Sequence, residues 1–201
     1  MQANSSPGSE DRVRPTGKRA IFLDRDGVIN VNRPDHVKCW EEFQFLPGAI
    51  EAIVRLSRAG LDTFVITNQA VINRGMVSRE IVDWINLRMR RAVELHGGHV
   101  TAVACCPHRP SEDCRCRKPQ PGLLLELARR YSIDLGASIV IGDALSDVQA
   151  ATAAGCAPIL VLTGRGQEQL AIARADGWNG FAVAKDLRQA VDLILNRAMA
   201  G

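Results

Sequence analysis

Short apolar runs alternate with longer segments of helical period from residue 20 onward, and this alternation constrains the fold more than any other feature. The runs are rich in β-branched and other apolar residues, and they predict strands at residues 20–23, 62–67, 100–105, 138–142, 158–162 and 181–184. Between strands, apolar residues recur at three-and-four spacing, as at Ile81, Ile85, Met89 and Ala92, which is typical of a buried helix face. Strands that alternate with helices predict an α/β fold, with a central parallel sheet flanked by helices.

The chain has 201 residues, 46% of them hydrophobic, which is enough for one well-buried domain and too short for two of ordinary size. Residues 1–19 are rich in Ser, Gly, Pro and charge, so we predict a disordered tail followed by one domain over residues 20–201. The tail lacks the apolar centre of a secretory signal, and the longest apolar runs fall far short of the roughly 20 residues that cross a bilayer. We therefore expect a cytoplasmic protein without a membrane segment.

The formal net charge of +3 is mildly basic, yet the sequence has no run of Lys and Arg interleaved with aromatic residues. We therefore expect no nucleic-acid partner and interpret the excess charge as local phosphate chemistry. The expected partner is a small molecule, and the chain is expected to act as a monomer.

Polar residues crowd the positions where three predicted strands end. They are Asp24 and Asp26 after the first, Thr67 and Asn68 at the second, and Asp143 after the fourth. In open parallel sheets, ligands bind beyond the carboxyl ends of the strands. The three clusters therefore predict one shared site.

Asp24 and Asp26 stand two residues apart, where an apolar strand gives way to a turn that contains Gly27. A lone D-x-D in a loop is more often a solvated turn, but the strand before it and the glycine after it favour a functional site. One carboxylate can attack phosphorus, while the other protonates the departing alkoxide and later activates water. This pattern predicts a phosphatase in which Asp24 is the nucleophile and Asp26 is the acid/base.

A phosphoryl group repels an attacking carboxylate, so this chemistry needs positive charge and hydrogen-bond donors around the transferred group. The candidates are Thr67 and Asn68 at the end of the second strand, and Arg117 and Lys118 farther along the chain. Each is ambiguous when taken singly, and a lone lysine such as Lys118 is more often a surface residue.

A magnesium site is also expected among the carboxylates. Mg²⁺ prefers oxygen ligands and bridges carboxylate to phosphate, so Asp143 can join Asp24 in holding it. Asp147, four residues after Asp143, can support this site by orienting the groups around it.

Three cysteines and one histidine, Cys106, His108, Cys114 and Cys116, form a second cluster. Three thiolates and an imidazole suit tetrahedral zinc. The C-x-C spacing is tighter than the usual C-x-x-C, so spacing alone leaves a redox role or a merely structural role open. Cysteines gathered in this way beside a histidine fit the reduced thiols of a cytosolic protein better than disulfides.

Four motifs in order carry a resemblance to a known family. DxDGV begins at Asp24, VITN at Val65, RKP at Arg117 and GDxxxD at Gly142, and together they resemble the haloacid dehalogenase superfamily of phosphatases over residues 20 to about 155. Within it, FLDRDGVIN, TNQ followed by NRG, CPH followed by CxCRKPxPG, and GDxxxDxQAA are similar to the D-glycero-D-manno-heptose 1,7-bisphosphate 7-phosphatase family. The resemblance implies a Rossmann-like haloacid dehalogenase fold. It also implies hydrolysis of the C7 phosphate of that sugar, which gives heptose 1-phosphate for nucleotide-activated heptose synthesis.

The resemblance further implies roles for individual residues. Magnesium is held by Asp24, Asp143 and the backbone carbonyl of Asp26. Thr67, Asn68 and Lys118 bind the transferred phosphate, and Arg117 and Arg74 also bind substrate. Zinc is held by Cys106, His108, Cys114 and Cys116. Because all four zinc ligands come from protein, the resemblance favours a structural zinc that shapes the loop before Arg117.

Two departures from the pattern leave the exact substrate open. Close relatives often carry Lys where this chain has Ala144, and Ser-Gly-Ile where residues 70–72 read Ala-Val-Ile. Both changes leave the catalytic motifs intact.

Larger relatives carry a cap domain, either after the first motif or between the second and third. Here residues 30–46 are predicted to form only a loop. Residues 67–118 are filled by one helix, one strand and the loop that contains His108, Cys114 and Cys116, which we call the cysteine loop. We therefore expect no cap domain. Two alternatives stay open: a histidinol-phosphate phosphatase, whose relatives share the aspartate motifs and a similar zinc loop, and a non-catalytic zinc-stabilised binding protein.

Overall fold

The computed structural model describes residues 17–198. The predicted tail, residues 1–19, therefore lies outside the described residues except at its last three positions. There, the Lys18 amide donates to the Ser132 carbonyl at 3.0 Å, and the Asp134 amide donates to the Lys18 carbonyl at 3.0 Å. Backbone hydrogen bonds thus hold Lys18, within the predicted tail, against the domain.

A six-stranded parallel sheet forms the centre of the domain. Its strands are β1 (Ala20–Leu23), β2 (Asp62–Asn68), β3 (Ala102–Cys106), β4 (Ile139–Gly142), β5 (Ala157–Val161) and β6 (Ala182–Ala184). The strands lie in the order β3-β2-β1-β4-β5-β6. From β1, the sheet extends through β2 to β3 on one side and through β4 and β5 to β6 on the other. A crevice forms where such a sheet changes direction, here between the ends of β1 and β4.

Helices cover both faces of this sheet. They are α1 (Ala49–Arg58), α2 (Arg79–Leu95), α3 (Gly122–Tyr131), α4 (Leu145–Ala154), α5 (Gly166–Ala175) and α6 (Leu187–Ala198). Successive residues of a strand point to opposite faces. Ile21 and Leu23 accordingly pack into a core with α1, α2 and α6, while Ala20 and Phe22 pack into a second core with α3 and α4.

The predicted α/β architecture is confirmed, and the bounds of all six predicted strands agree with the structure to within two residues. One detail of the predicted helix faces is wrong. Ile81, in the first turn of α2, is 40% exposed, while Val82 beside it is fully buried. The buried stripe of α2 is therefore carried by Val82, Ile85, Met89 and Val93.

The segments where a cap domain could be inserted are short. Between β1 and α1 the chain forms loops and one 3-10 turn, Trp40–Glu42; between β2 and α3 it holds α2, β3 and a 3-10 turn, Pro110–Glu112. The carboxyl ends of β1, β2 and β4 are thus left without a covering domain among residues 17–198. Over the same residues, no helix is both long enough and apolar enough to cross a membrane.

Candidate active site

Four buried charged side chains meet at the carboxyl ends of β1 and β4. Asp24 follows β1, Asp143 follows β4, and Asp147 lies in the first turn of α4. Each offers a carboxylate oxygen within 4.8 Å of the others. The ammonium group of Lys118 lies 2.9 Å from Asp24 Oδ1 and 2.5 Å from Asp147 Oδ1. The predicted nucleophile, metal ligand, supporting carboxylate and phosphate-binding lysine are therefore brought together.

Burial sets the protonation of this cluster. Burial, only partly offset by Lys118 and reinforced by Asp147 and Asp143, raises the pKa of Asp24 to about 7. Burial also raises the pKa of Asp143 to about 6, although the backbone amide of Arg165 donates to its carboxylate. For Lys118, burial alone lowers the pKa, but Asp147 and Asp24 outweigh it and raise that pKa above its ordinary value. Lys118 is thus a fixed positive charge beside Asp24, the predicted nucleophile.

The cluster fits a divalent cation. When all three carboxylates are ionised, one lysine neutralises only one of their charges, and a further cation is needed to balance a buried site. Asp143 is fully buried, and its Oδ1 atom has no hydrogen-bond partner among the described residues. A buried carboxylate oxygen without a donor is costly unless a metal ion binds it. The oxygen-only ligand set is the one that Mg²⁺ prefers.

Two glycines leave room for the Asp143 carboxylate. Gly27 has a φ of 92° and Gly164 a φ of 58°, a left-handed conformation that favours glycine. A β-carbon at either position would collide with the carboxyl group of Asp143. The backbone on two sides can therefore approach this carboxylate only because both residues lack a side chain.

Asp26 lies apart from the cluster, in a net of donors. Its carboxylate accepts from the Arg25 guanidinium at 2.9 and 3.1 Å, from Asn30 Nδ2 at 2.9 Å and from Gln69 Nε2 at 2.7 Å. Burial by itself raises the pKa of Asp26, but Arg25, Asn30 and Gln69 together lower it below its ordinary value. The predicted acid/base is therefore held in place by three side chains.

A cavity of about 430 Å³ opens above these groups. Six of the predicted site residues line it: Asp24, Asp26, Thr67, Asn68, Arg117 and Lys118. Thr67 Oγ1 accepts from Gln69 Nε2 at 2.8 Å, which leaves the hydroxyl proton free to donate to a ligand. The Asn68 side chain exchanges hydrogen bonds with the backbone of Lys118, at 3.0 and 3.1 Å, and so ties β2 to the loop that carries Arg117.

Of the three predicted substrate-binding residues, Asn68 and Arg117 line this cavity and Arg74 does not. The Arg74 guanidinium instead contacts His36 Nε2 at 3.0 Å, and His36 does line the cavity. The structure thus places Arg74 one residue away from the cavity wall, behind a histidine.

Sequence reasoning missed several side chains that meet at this site. Asn32, Arg33, His36, Ser146 and Arg165 line the cavity, and Arg25 and Gln69 hold Asp26. A signal existed for Arg165, because it follows the end of β5 and the carboxyl ends of parallel strands share one edge. Gln69 likewise follows the Thr67-Asn68 pair directly. No pattern indicated Arg25, since its contacts depend on the folded loop.

The predicted zinc ligands form a compact cluster. Cys106 Sγ lies 3.2 Å from Cys116 Sγ, 3.7 Å from Cys114 Sγ and 3.5 Å from His108 Nδ1. Tetrahedral zinc, with Zn–S bonds of about 2.3 Å, holds its ligand atoms about 3.5–3.8 Å apart. The observed separations of 3.2–3.7 Å are close to these values, so the four side chains could hold a tetrahedral zinc ion.

This cluster contacts the segment that carries Arg117 and Lys118. The Arg117 amide donates to Cys114 Sγ at 3.3 Å, and the Arg117 guanidinium donates to the His108 carbonyl at 3.0 Å. The Gln69 amide donates to the Cys106 carbonyl at 2.7 Å. The position of Arg117 and Lys118 thus depends on the fold of the cysteine loop.

Comparison with known proteins identifies the family. Residues 115–190 match the model of HAD-hydrolase-like proteins. The chain is 41% identical over 180 residues to the D-glycero-beta-D-manno-heptose-1,7-bisphosphate 7-phosphatase of Bordetella bronchiseptica, across 90% of this chain and 99% of that protein. It is 42% identical over 150 residues to the enzyme of the same name from Pseudomonas aeruginosa, across 75% of this chain and 84% of that protein.

A solved structure supports the same conclusion. The crystal structure of D,D-heptose 1,7-bisphosphate phosphatase from B. bronchiseptica, complexed with magnesium and phosphate, matches with a TM-score of 0.85 and 41% identity. The match covers 89% of this chain and 99% of that chain. The chain therefore belongs to the D-glycero-beta-D-manno-heptose-1,7-bisphosphate 7-phosphatase family, whose members are haloacid dehalogenase-type phosphatases.

Proposed function

We propose that this protein is a Mg²⁺-dependent phosphatase that hydrolyses the C7 phosphate of D-glycero-D-manno-heptose 1,7-bisphosphate and releases heptose 1-phosphate. The observation that carries the proposal is the buried cluster of Asp24, Asp143, Asp147 and Lys118, of which Asp24 and Lys118 line the same cavity as Asp26. The names of its relatives favour the β anomer of the sugar. That product would then serve the synthesis of a nucleotide-activated heptose.

The proposed reaction has two steps. In the first, a carboxylate oxygen of Asp24 bonds to phosphorus as the bond from phosphorus to the sugar oxygen breaks. Asp26 gives a proton to that sugar oxygen from its protonated form, which its lowered pKa makes the minor form at neutral pH. In the second, Asp26 takes a proton from a water molecule that attacks the phosphoryl group, and Asp24 leaves as a carboxylate. The products are the sugar alcohol and inorganic phosphate, and Asp26 regains its proton.

The surrounding residues supply charge and donors to the transferred group. Lys118 offsets the negative charge next to Asp24, and the hydroxyl of Thr67 and the side chain of Asn68 face the same cavity. Asp24, Asp143 and the backbone carbonyl of Asp26 would hold Mg²⁺, which when bound draws charge from the phosphate oxygens. Zinc on Cys106, His108, Cys114 and Cys116 would have a structural role.

The mouth of the cavity suits a second phosphate. Arg33, Arg117 and Arg165 line it, and all three are cationic. Arg33 is already paired with Asp35 at 3.0 Å, and Arg117 is tied to the His108 carbonyl. Arg165 has a longer ion-pair contact, 3.8 Å from its Nε to Asp143 Oδ2, so it has the most freedom to move toward an anion. Its side chain is 52% exposed. In our proposal, Arg165 supplies the positive charge that relatives often carry on a Lys at the position of Ala144. Arg74 acts on substrate through His36.

The remaining assignments complete the proposal. The substrate is a small molecule and the protein acts as a monomer in the cytoplasm, where its thiols stay reduced. All six cysteines lie in the described part of the chain, and all six are unpaired there. Free thiols are typical of a reducing compartment.

The test is a comparison of kcat/KM for both anomers of the heptose bisphosphate, histidinol phosphate and fructose 1,6-bisphosphate, with Mg²⁺ present. We expect the β anomer of the heptose bisphosphate to be preferred by at least about tenfold, a difference of about 1.4 kcal/mol in transition-state binding. A preference for histidinol phosphate would replace this function with the first alternative. No phosphate release from any substrate would leave the binding protein as the better description.

A further inference from the structure

Arg25 is a buried arginine that lies in the sequence between the proposed nucleophile and the proposed acid/base. It is 1% exposed. One terminal nitrogen donates to both carboxylate oxygens of Asp26, and the other donates to Asn86 Oδ1 at 3.0 Å. The guanidinium carbon lies 5.9 Å from the centre of the Phe43 ring.

Burial of this guanidinium requires compensation, because an unpaired charge inside a protein is strongly destabilising. Asp26 supplies the opposite charge, and Asn86, itself only 5% exposed, supplies a neutral acceptor from the middle of α2. A planar guanidinium fixes two partners at once in a defined orientation. The carboxyl group of Asp26 is therefore anchored, through Arg25, to a helix that packs in the core.

We infer that Arg25 and Asn86 form a positioning pair that orients the carboxyl group of Asp26 for proton transfer to the leaving oxygen of the substrate. This inference rests on the proposed acid/base role of Asp26. Neither Arg25 nor Asn86 lines the cavity, so both act through Asp26 and do not touch substrate. Orientation matters because a proton donor that is misplaced by about 1 Å can lose about a hundredfold in rate.

The chemistry of the leaving group provides a selective readout. A sugar alkoxide must be protonated as it leaves, whereas 4-nitrophenolate departs readily as an anion and needs no acid. Release of the alcohol is the first irreversible step, so kcat/KM reports formation of the phosphoryl-enzyme and excludes its later hydrolysis. A defect in positioning the acid should thus lower kcat/KM for the sugar phosphate and spare 4-nitrophenyl phosphate. A general loss of structure should lower both.

The experiment compares Arg25→Met, Arg25→Lys and Asn86→Leu with the wild type on both substrates, with Mg²⁺ present. We expect Arg25→Met to lose roughly tenfold to a hundredfold in kcat/KM on the heptose bisphosphate and less than about threefold on 4-nitrophenyl phosphate. Arg25→Lys should recover part of the loss, because an ammonium group can reach Asp26 but cannot also bind Asn86. Asn86→Leu should show a smaller loss with the same selectivity, and it keeps the test available if Arg25→Met does not fold.

Two control variants complete the design. Arg88→Met removes an arginine from the same helix, where its guanidinium lies over the rings of Trp40 and Trp84, and it should leave both activities unchanged. Asp26→Asn should show the same selectivity as Arg25→Met, but more strongly. Equal losses on both substrates in the Arg25 and Asn86 variants, with selectivity retained in Asp26→Asn, would overturn the inference and leave the proposed function intact. Equal losses in Asp26→Asn itself would instead contradict the proposed acid role.

Discussion

The carboxyl groups of Asp24 and Asp143 resist ionisation in the metal-free protein. Burial raises their pKa values to about 7 and about 6. In the unfolded chain both groups ionise near their ordinary value of 3.8. Between the ordinary and the raised pKa values the folded protein holds more protons than the unfolded chain, so these two groups make the metal-free protein less stable as the pH rises through this window.

A bound divalent cation should reverse this trend, because it requires both carboxylates in their ionised form. Each proton that the metal displaces changes the apparent binding free energy by about 1.4 kcal/mol per pH unit. We predict that Mg²⁺ raises the melting temperature by several degrees at about pH 8 and by much less at about pH 5, where both groups are protonated. Thermal denaturation with and without Mg²⁺ at several pH values measures this effect. Asp143→Asn is the control and should not respond; a Mg²⁺ effect in the wild type that does not change with pH would contradict the prediction.

At this same scale, the sequence predicted some site residues and missed others. Asp24, Asp26, Thr67, Lys118 and Asp143 could be predicted because each stands at the end of a strand or in a motif with a chemical reason for its spacing. Arg25 could not, because its contacts depend on the folded loop, and the partner of Gln69 could not be predicted either, although its place after Thr67 and Asn68 was a signal. Gln69, for example, meets Asp26 from a position 43 residues away.

The cysteine loop is the element that connects the candidate zinc ligands to the candidate active site. It joins β3 to α3, and it holds Arg117 through the Cys114 sulfur and the His108 backbone carbonyl. Its backbone has no regular structure apart from one short 3-10 turn. A bound metal ion would contribute much of the free energy that orders such a loop.

Loss of zinc should therefore impair catalysis indirectly. We predict that Cys114→Ser or Cys116→Ser lowers zinc content, raises KM and lowers kcat, because Arg117 and Lys118 lose their fixed positions, and that added Mg²⁺ does not restore activity. Atomic absorption and steady-state kinetics on the same samples measure both effects. Cys105→Ser, next to the cluster but outside it, should retain zinc and activity. Full activity in a zinc-free wild type would exclude the structural role, and loss of all turnover in a folded, zinc-free variant would indicate a catalytic zinc.

The sequence predicted elements more reliably than contacts between them. The strands were identifiable because parallel strands covered on both faces are continuous apolar runs, as in Ile139 to Ile141. The exposure of Ile81 was not predictable, since Ile81 and Val82 are both apolar and both keep three-and-four spacing with Ile85 and Met89, so spacing does not show which of the two faces the core. The spacing of motifs also does not predict the spatial order of the strands, which the structure shows to be β3-β2-β1-β4-β5-β6.

For the whole molecule, the sheet determines which distant segments share a site. Strands β1 and β4 are neighbours although more than a hundred residues separate them, and their registers place Leu23 opposite Ile141. The residue after each strand, Asp24 and Asp143, thus reaches the same crevice. Among residues 17–198 no cap domain covers this crevice, and loop residues such as Arg33, His36 and Arg165 line the cavity there.

The boundary of the folded domain can also be tested as a property of the whole molecule. We predict that removal of residues 1–16 leaves activity and melting temperature almost unchanged, because their composition, rich in Ser, Gly, Pro and charge, predicts few apolar contacts with the domain. Removal of residues 1–19 should lower the melting temperature by several degrees, because Lys18 exchanges backbone hydrogen bonds with the segment after α3. Differential scanning calorimetry of the two truncated proteins distinguishes them, and a large loss of stability in the shorter truncation would contradict the assigned boundary.

The most direct test of the account is to trap the phosphoryl-enzyme. Rapid acid quench after mixing enzyme, Mg²⁺ and substrate labelled at the C7 phosphate should give protein-bound label, and peptide mapping should place that label on Asp24. Asp24→Asn should bind substrate yet show neither label nor turnover, because an amide cannot replace the carboxylate nucleophile. Asp26→Asn should form the labelled enzyme slowly and hydrolyse it slowly. Label on any other residue, or near-normal kcat in Asp24→Asn, would contradict the mechanism.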